Sequence, residues 1–366
     1  MIKVYDQIFT EEDTQAAMEV MKSGQLSSGQ ATTDLESAFT VYSGRKYAIS
    51  CCNGTAALYL ALYAINIINS KVAIPSCSYI AAAFAAAHLG NEIIFIDAEL
   101  SSWNLDPVKL EKECKKARAQ KDPIKAVIVI HNYGSPSNWE SILELQKEFG
   151  FKIIEDACEA LDAKFDNKLI GTFGDISLFS FYGNKTCASG EGGILLTNDE
   201  TYYNNMKLMR GQGQHPTRRF WHIIKGFNFR LTNLQSAIAL SQFKRLGETQ
   251  TKKLHIKKLY EDNLPKELKL QGTLKKAEHA WWMVSIRNEN NQNFYAECSK
   301  FLAANDVETR PIFPPIQSMP AFREYKDQPY PNAAILNNTC ISLPSGPGTS
   351  DEDIVKICSL LKEFVQ

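Results

Sequence analysis

Between Tyr47 and Asp156 five short apolar runs, Tyr47–Cys52, Val72–Pro75, Glu92–Asp97, Ala126–Ile130 and Phe151–Asp156, are separated by four segments with helical patterning. Those segments cover 56–67, 80–89, 107–120 and 138–150. Strands joined by crossovers of this length run parallel, and right-handed βαβ units place helices on both faces of the sheet. The expected fold class is therefore α/β with a mostly parallel central sheet. In such sheets ligands sit beyond the carboxyl ends of the strands. Tyr79, His131, Asp156 and Lys185 all fall at or just after predicted strand ends, so four separate segments are expected to face one crevice.

Two of these positions carry a specific chemistry. Lys185 lies in Phe179–Gly193, a turn-forming frame with glycines on both sides, flanked by the strand-like runs Ile176–Phe181 and Ile194–Thr197. Glycines let the backbone approach a ligand closely, and a rigidly held lysine can form a Schiff base with a carbonyl. By itself such a turn can equally be only a turn. Upstream, however, the apolar strand Phe151–Asp156 ends on an acid. An aspartate at a strand end, followed by a lysine on a later turn, is what pyridoxal phosphate requires. The carboxylate keeps the pyridine nitrogen protonated and the lysine binds the aldehyde. A third element, Asn53-Gly54-Thr55, turns a strand into a helix, and the free N–H groups of that helix start favour an anion such as the cofactor phosphate. Asn53 would also serve as a plain helix cap.

Composition excludes several other classes. With 40 basic and 41 acidic residues the net charge is -1, and no basic block marks a nucleic-acid or anionic-lipid surface. The nine cysteines form no C-x-x-C pair, and the six histidines form no H-E-x-x-H, so reduced thiols and no metal are expected. The start of the chain lacks a signal-peptide pattern and no run is long enough to span a bilayer, which points to a cytoplasmic protein.

Elsewhere, Thr10 with Asp13 resembles a capping box opening a helix that stops at Gly24, and a second helix runs from about Thr33 to Gly44. Thr232 caps a long helix expected to reach Leu246. Between them lies the loop Gly211–Trp221, which is glycine-rich, basic and aromatic, a composition suited to binding. From about Leu254 the pattern changes to helix, strands near Trp282–Ile286, a helix at Phe294–Ala304, the Pro-rich stretch Arg310–Pro320 and a last helix capped by Ser350. We expect a large cofactor-binding α/β domain over residues 1–250 and a smaller α+β domain over 251–366.

Seven motifs occurring in this order resemble those of the DegT/DnrJ/EryC1/StrS family of sugar aminotransferases, within the aspartate-aminotransferase fold type. They are Asn53–Leu58, Pro75–Ala81, Glu155–Ala157, Phe179–Gly193, Asn228–Gln235, Glu308–Pro311 and Leu343-Pro344. The resemblance covers nearly the whole chain. It implies that Lys185 binds the cofactor, that Asp156 partners the pyridine nitrogen, and that Tyr79 lies against the ring. It further implies that Gly54, Thr55 and Ser180 cradle the phosphate, that Glu159 sits near the ring hydroxyl, and that Asn228 reaches the phosphate of the neighbouring subunit in a homodimer. Arg210, Arg218, Arg219, Trp221, Arg310 and Gln317 are the implied substrate contacts. The implied reaction moves an amino group from L-glutamate to the C4 keto group of a nucleotide-linked 4-keto-6-deoxyhexose, as in O-antigen biosynthesis; the alternatives are a UDP- or dTDP-linked 4-amino or 3-amino sugar as product, or a catalytically silent cofactor-binding regulatory protein, against which the intact Lys185, Asp156 and Tyr79 set weighs. Within the family, the 210–221 loop and Trp103–Pro107 look most like the branch that aminates GDP-4-keto-6-deoxymannose. Gln317 departs from that pattern, standing where a histidine is expected, and Asn132 replaces an apolar residue. Related 3-dehydratases carry histidine in place of the lysine, so Lys185 points away from them.

Overall fold

The computed structural model describes residues 1–366. Its main sheet contains β1 (Tyr47–Cys51), β2 (Lys71–Pro75), β3 (Glu92–Ile96), β4 (Ala126–Ile130) and β5 (Lys152–Asp156). After a small hairpin of β6 (Lys164–Phe165) and β7 (Lys168–Leu169), β8 (Ile176–Ser180) and β9 (Gly193–Thr197) complete it. The strand order is β1-β9-β8-β5-β4-β2-β3. Strands β8, β5, β4, β2 and β3 pair in parallel, while β9 runs antiparallel to both β1 and β8. The lysine-bearing turn therefore joins two strands that pair with each other, with Ser180 opposite Gly193.

Helices cover both faces, and strand alternation sorts the core. Val127, Val129, Ile153 and Phe179 pack on one face with Phe39 and Trp139. Their neighbours Ala126, Ile128, Ile154 and Leu178 pack on the other with Leu58, Leu62 and the alanine-rich helix Ala81–His88. Because side chains alternate with period two, strands buried on both faces read as continuous apolar runs rather than alternating ones.

Helix starts follow the capping residues. Asn53 Oδ1 accepts from Ala56 N at 2.8 Å, Asp106 Oδ1 from Val108 N at 2.9 Å, and Thr232 Oγ1 from Gln235 N at 3.2 Å. Gly24, Gly44 and Gly150 end helices with φ of 69°, 69° and 75°, a conformation that costs glycine little. The helix expected to reach Leu246 is instead two: Asn233–Lys244 and Leu246–Asn263, broken at Arg245. The second begins in the core of the large sheet at Leu246 and ends in another core at Ile256 and Tyr260, so the expected boundary at 250/251 falls inside one helix.

Beyond it, β10 (Lys269–Leu270), β12 (Val284–Arg287), β14 (Cys340–Leu343) and β13 (Arg310–Pro311) form an antiparallel sheet in that order. β11 (Ala277–Glu278) pairs with β6. The helices Phe294–Ala304 and Asp351–Val365 cover the antiparallel sheet. The N-terminal arm lies against this C-terminal unit: Ile2 bridges to Val307, Ser345 N donates to Val4 O at 3.0 Å, and Gly348 N donates to Asp6 O at 2.9 Å. No helix is long and apolar enough to cross a membrane.

Candidate active site

A cavity of about 400 Å³ opens at the carboxyl ends of the central strands, bounded as well by Arg310, Pro311 and Ser342 of the antiparallel sheet. Tyr79, Gly54, Thr55, Asp156, Glu159, Ser180, Lys185 and Arg310 all line it. Eight positions spread over 257 residues thus converge on one space, and the spread follows from the topology: β1, β2, β5 and β8 each end there.

The Lys185 ammonium lies 3.3 Å from Glu159 Oε1 and 3.8 Å from the centroid of the Trp282 ring. Glu159 is held in turn by Tyr133 N, which donates to its Oε2 at 2.8 Å. Burial pushes the Glu159 carboxyl above its ordinary range, and the nearby Lys185 charge opposes that shift. Asp156 is buried, and Cys158 N donates to its Oδ1 at 3.1 Å. Burial also pushes the Asp156 carboxyl up, against the pull of Cys158 and Lys185. An acid in this state gains strongly from a cationic nitrogen beside it.

At the start of the helix Gly54–Ala64, the N–H groups of Gly54 and Thr55 belong to the set a helix cannot satisfy internally. The backbone there is tight. A Cβ on Gly54 would lie 3.2 Å from Cys158 Sγ and 3.3 Å from Ser180 Cβ. Tyr79 is exposed at the mouth, its ring centroid 5.9 Å from that of Phe313.

The profile of the DegT/DnrJ/EryC1/StrS aminotransferase family matches residues 7–362. The chain belongs to this family. It is 36% identical over 365 residues to a GDP-perosamine synthase of Escherichia coli O157:H7, covering 99% of this chain and 98% of the relative. A GDP-perosamine synthase of Caulobacter vibrioides is 34% identical, with 92% and 91% covered. Among solved structures, a DegT/DnrJ/EryC1/StrS aminotransferase from Brucella abortus superimposes with a TM-score of 0.90 at 26% identity, covering 97% of this chain and 95% of its own. The protein is accordingly a sugar aminotransferase dependent on pyridoxal 5′-phosphate.

The residues fit that cofactor. The side-chain-free Gly54 beside Ser180 leaves room at a helix start for a phosphate, and the buried carboxyl of Asp156 is not ion-paired to any cation of the chain.

Six other candidates do not line the cavity. Arg210 ends a helix and its Nη1 is bound to Glu36 Oε1 at 3.0 Å and to the Ser50 carbonyl at 2.7 Å, so its guanidinium braces β1 rather than facing the pocket. Arg218 stacks on Trp221 at 3.8 Å and Arg219 lies over Phe220 at 4.8 Å, in an exposed loop. Asn228 is exposed, with its Oδ1 accepting from Arg230 Nε at 3.0 Å. Gln317 is buried in a short 3-10 turn, and its Oε1 has no hydrogen-bond partner.

His131, expected at the crevice, is fully buried on the opposite face, 3.4 Å from Glu155 and against Trp139. Its neighbour Ile130 takes the cavity side, as strand alternation requires.

Sequence reasoning missed Trp282, Tyr133 and Phe313, which together form the roof. The Tyr133 ring stacks on Phe313 at 5.2 Å and on Trp282 at 6.2 Å. The only signal was compositional: large aromatics following His131 and preceding a strand.

Proposed function

We propose that the protein transfers an amino group from L-glutamate to C4 of GDP-4-keto-6-deoxymannose, giving GDP-perosamine, as a cytoplasmic homodimer serving O-antigen biosynthesis. The observation that carries the catalytic part is the meeting of Lys185 Nζ, the Asp156 carboxyl and the Gly54 helix start in one cavity. The acceptor rests on the two synthases above, which this chain resembles over nearly its full length.

In this reading Gly54, Thr55 and Ser180 hold the cofactor phosphate, Asp156 partners the ring nitrogen, and Tyr79 lies against the ring. When bound, pyridoxal phosphate supplies a ring that accepts the charge left when a substrate carbon loses its proton. Lys185 anchors the cofactor and, once released, moves that proton through Nζ. Glu159 orients the amine from 3.3 Å. Arg310 is the cavity's one arginine and offers a charge-assisted site to an anionic substrate group. Asn228, on an exposed segment, is assigned to the phosphate of a partner subunit, and the Arg218–Trp221 loop to the nucleotide. Residues 1–250 and 251–366 are taken as the cofactor-binding and capping units.

Borohydride reduction followed by peptide mapping tests the anchor: the tag falls on Lys185, and a tag on another lysine refutes the assignment. Competition among GDP-, dTDP- and UDP-linked 4-keto-6-deoxy sugars, with L-glutamate as donor, tests the acceptor. A higher kcat/KM for a dTDP or UDP compound overturns the perosamine reading and leaves the transaminase intact.

A further inference from the structure

Lys185 has two partners on its amine, and one of them has no assigned role. Glu159 approaches from the side at 3.3 Å. The face of the Trp282 indole lies 3.8 Å, centroid to nitrogen, from the same atom. Trp282 is buried and the Lys185 side chain is 12% exposed, a setting in which a cation over an aromatic face is held more strongly than at the surface.

The indole is locked on every side. Its Nε1 donates to the Asn184 carbonyl at 2.7 Å, so the ring is pinned to the residue immediately before the lysine. The backbone carbonyl of Trp282 accepts from Lys253 Nζ at 2.9 Å, deep in the interior. Its flank stacks on Tyr133, and Tyr133 N holds the far oxygen of Glu159. Gly134 lets the chain pass underneath: with φ of 100°, a Cβ there would stand 3.0 Å from the amides of Trp281 and Trp282. Trp282, Tyr133, Glu159 and Lys185 therefore close a ring of contacts around one nitrogen. Three of these residues come from the large sheet's loops, and Trp282 alone arrives from the segment leading into the antiparallel sheet.

We propose that Trp282 is a catalytic residue, whose indole face, together with the Glu159 carboxylate, berths the Lys185 amine during the part of the cycle in which that amine is not bonded to the cofactor. This rests on Lys185 being the cofactor lysine. A released lysine has a long flexible stem, and a proton carrier that wanders loses the near-attack geometry on which its rate depends. The berth keeps Nζ over the floor of the cavity between its two duties.

The test uses holoenzyme loaded with pyridoxamine 5′-phosphate, in which Lys185 is free. Acetic anhydride labelling is followed peptide by peptide, with surface lysines as internal reference. Trp282→Leu raises the Lys185 labelling rate by about tenfold, the scale of a lost buried cation–π contact. Trp282→Phe, which keeps a ring but not the bond to Asn184, falls between Leu and the parent. In the half-reaction with L-glutamate, kcat falls in the same order while KM stays level, and deuterium at the donor's α-carbon slows the Leu variant more than the parent. Labelling of the Leu variant at the parent rate overturns the proposal. So does a Phe variant that matches Leu, because the ring face would then not be what holds the amine. The borohydride map separates failures: a tag elsewhere than Lys185 removes the premise, whereas a tag on Lys185 with unchanged labelling removes only the berth.

Discussion

Glu155 and Asp156 are neighbours on β5, yet their carboxyl groups are on opposite faces of the sheet and in opposite electrostatic states. Glu155 accepts from Gly171 N at 2.7 Å, Phe173 N at 2.8 Å, Gly174 N at 2.9 Å and Ser177 Oγ at 2.7 Å. Burial works against its charge, but His131 and these donors outweigh burial and hold it below the usual carboxylate range. Asp156 has far fewer donors and is pushed the other way.

From that contrast, Asp156→Asn is expected to keep the fold and bind pyridoxal phosphate, but to lose activity by about 10²–10⁴-fold, since an amide does not hold the ring nitrogen protonated. Asp156→Ala binds the cofactor more weakly still. Cofactor absorbance titrations alongside steady-state rates check both, and near-parental activity in the alanine variant would mean that another group protonates the ring.

Gly54→Ala probes the proposed phosphate cradle. Its Cβ would press on Cys158 Sγ and Ser180 Cβ at 3.2 and 3.3 Å, inside ordinary contact distance. Alanine favours a helix start no less than glycine in propensity, so the thermal midpoint of the apoprotein shifts little while cofactor affinity falls by about tenfold. Equilibrium dialysis against pyridoxal phosphate measures it, and undiminished affinity would place the phosphate elsewhere.

Lys253 gives a pH signature in stability. Burial of its ammonium lowers its pKa to about 7, whereas a lysine in an unfolded chain titrates near ~10.4. Between those values the unfolded chain binds the proton and the folded protein does not, so this group makes stability rise with pH. Below that window both states are protonated and its slope vanishes. The difference in Tm between the parent and Lys253→Met is therefore expected to shift in the parent's favour from neutral pH upward. A difference that stays flat would show that the ammonium remains charged in the fold.

Subunit sharing is tested by mixing. Lys185→Ala and Asn228→Ala proteins, each impaired alone, regain part of their activity after subunit exchange if Asn228 completes the partner's site, because one site of the mixed dimer receives both intact residues. No recovery after verified exchange would mean that each site is built from one chain.

The sheet and the residues that line the cavity were legible because their signals are local. Apolar runs such as Ala126–Ile130 coincide with the strand to the residue, and Asn53 and Thr232 cap the helices expected of them. The antiparallel insertion of β9 between β1 and β8 was not legible, since Gly193–Thr197 reads the same in either direction and only its pairings with those two strands decide it. The pairing of Arg210 with Glu36 and Ser50 was not legible, because nothing nearby in sequence reveals those partners. Trp282 and Tyr133 escaped for a similar reason. Tyr133 reaches the roof only through a left-handed backbone, φ 61°, and Trp282 meets Lys185 from 97 positions away. Long-range packing of this kind leaves no periodicity to read.

The pairing of β1 with β9 also sets an order of events during synthesis. β1, which leads into the Gly54 helix start, has no sheet neighbour until residues 193–197 have left the ribosome, and the aromatic contact on Lys185 waits for Trp282. A chain emerging from its N-terminus can build the β2–β5 block first, because those crossovers close over short separations. Its first strand remains unpaired meanwhile. The cavity in which Gly54, Asp156 and Lys185 meet is thereby completed only once most of the polypeptide exists.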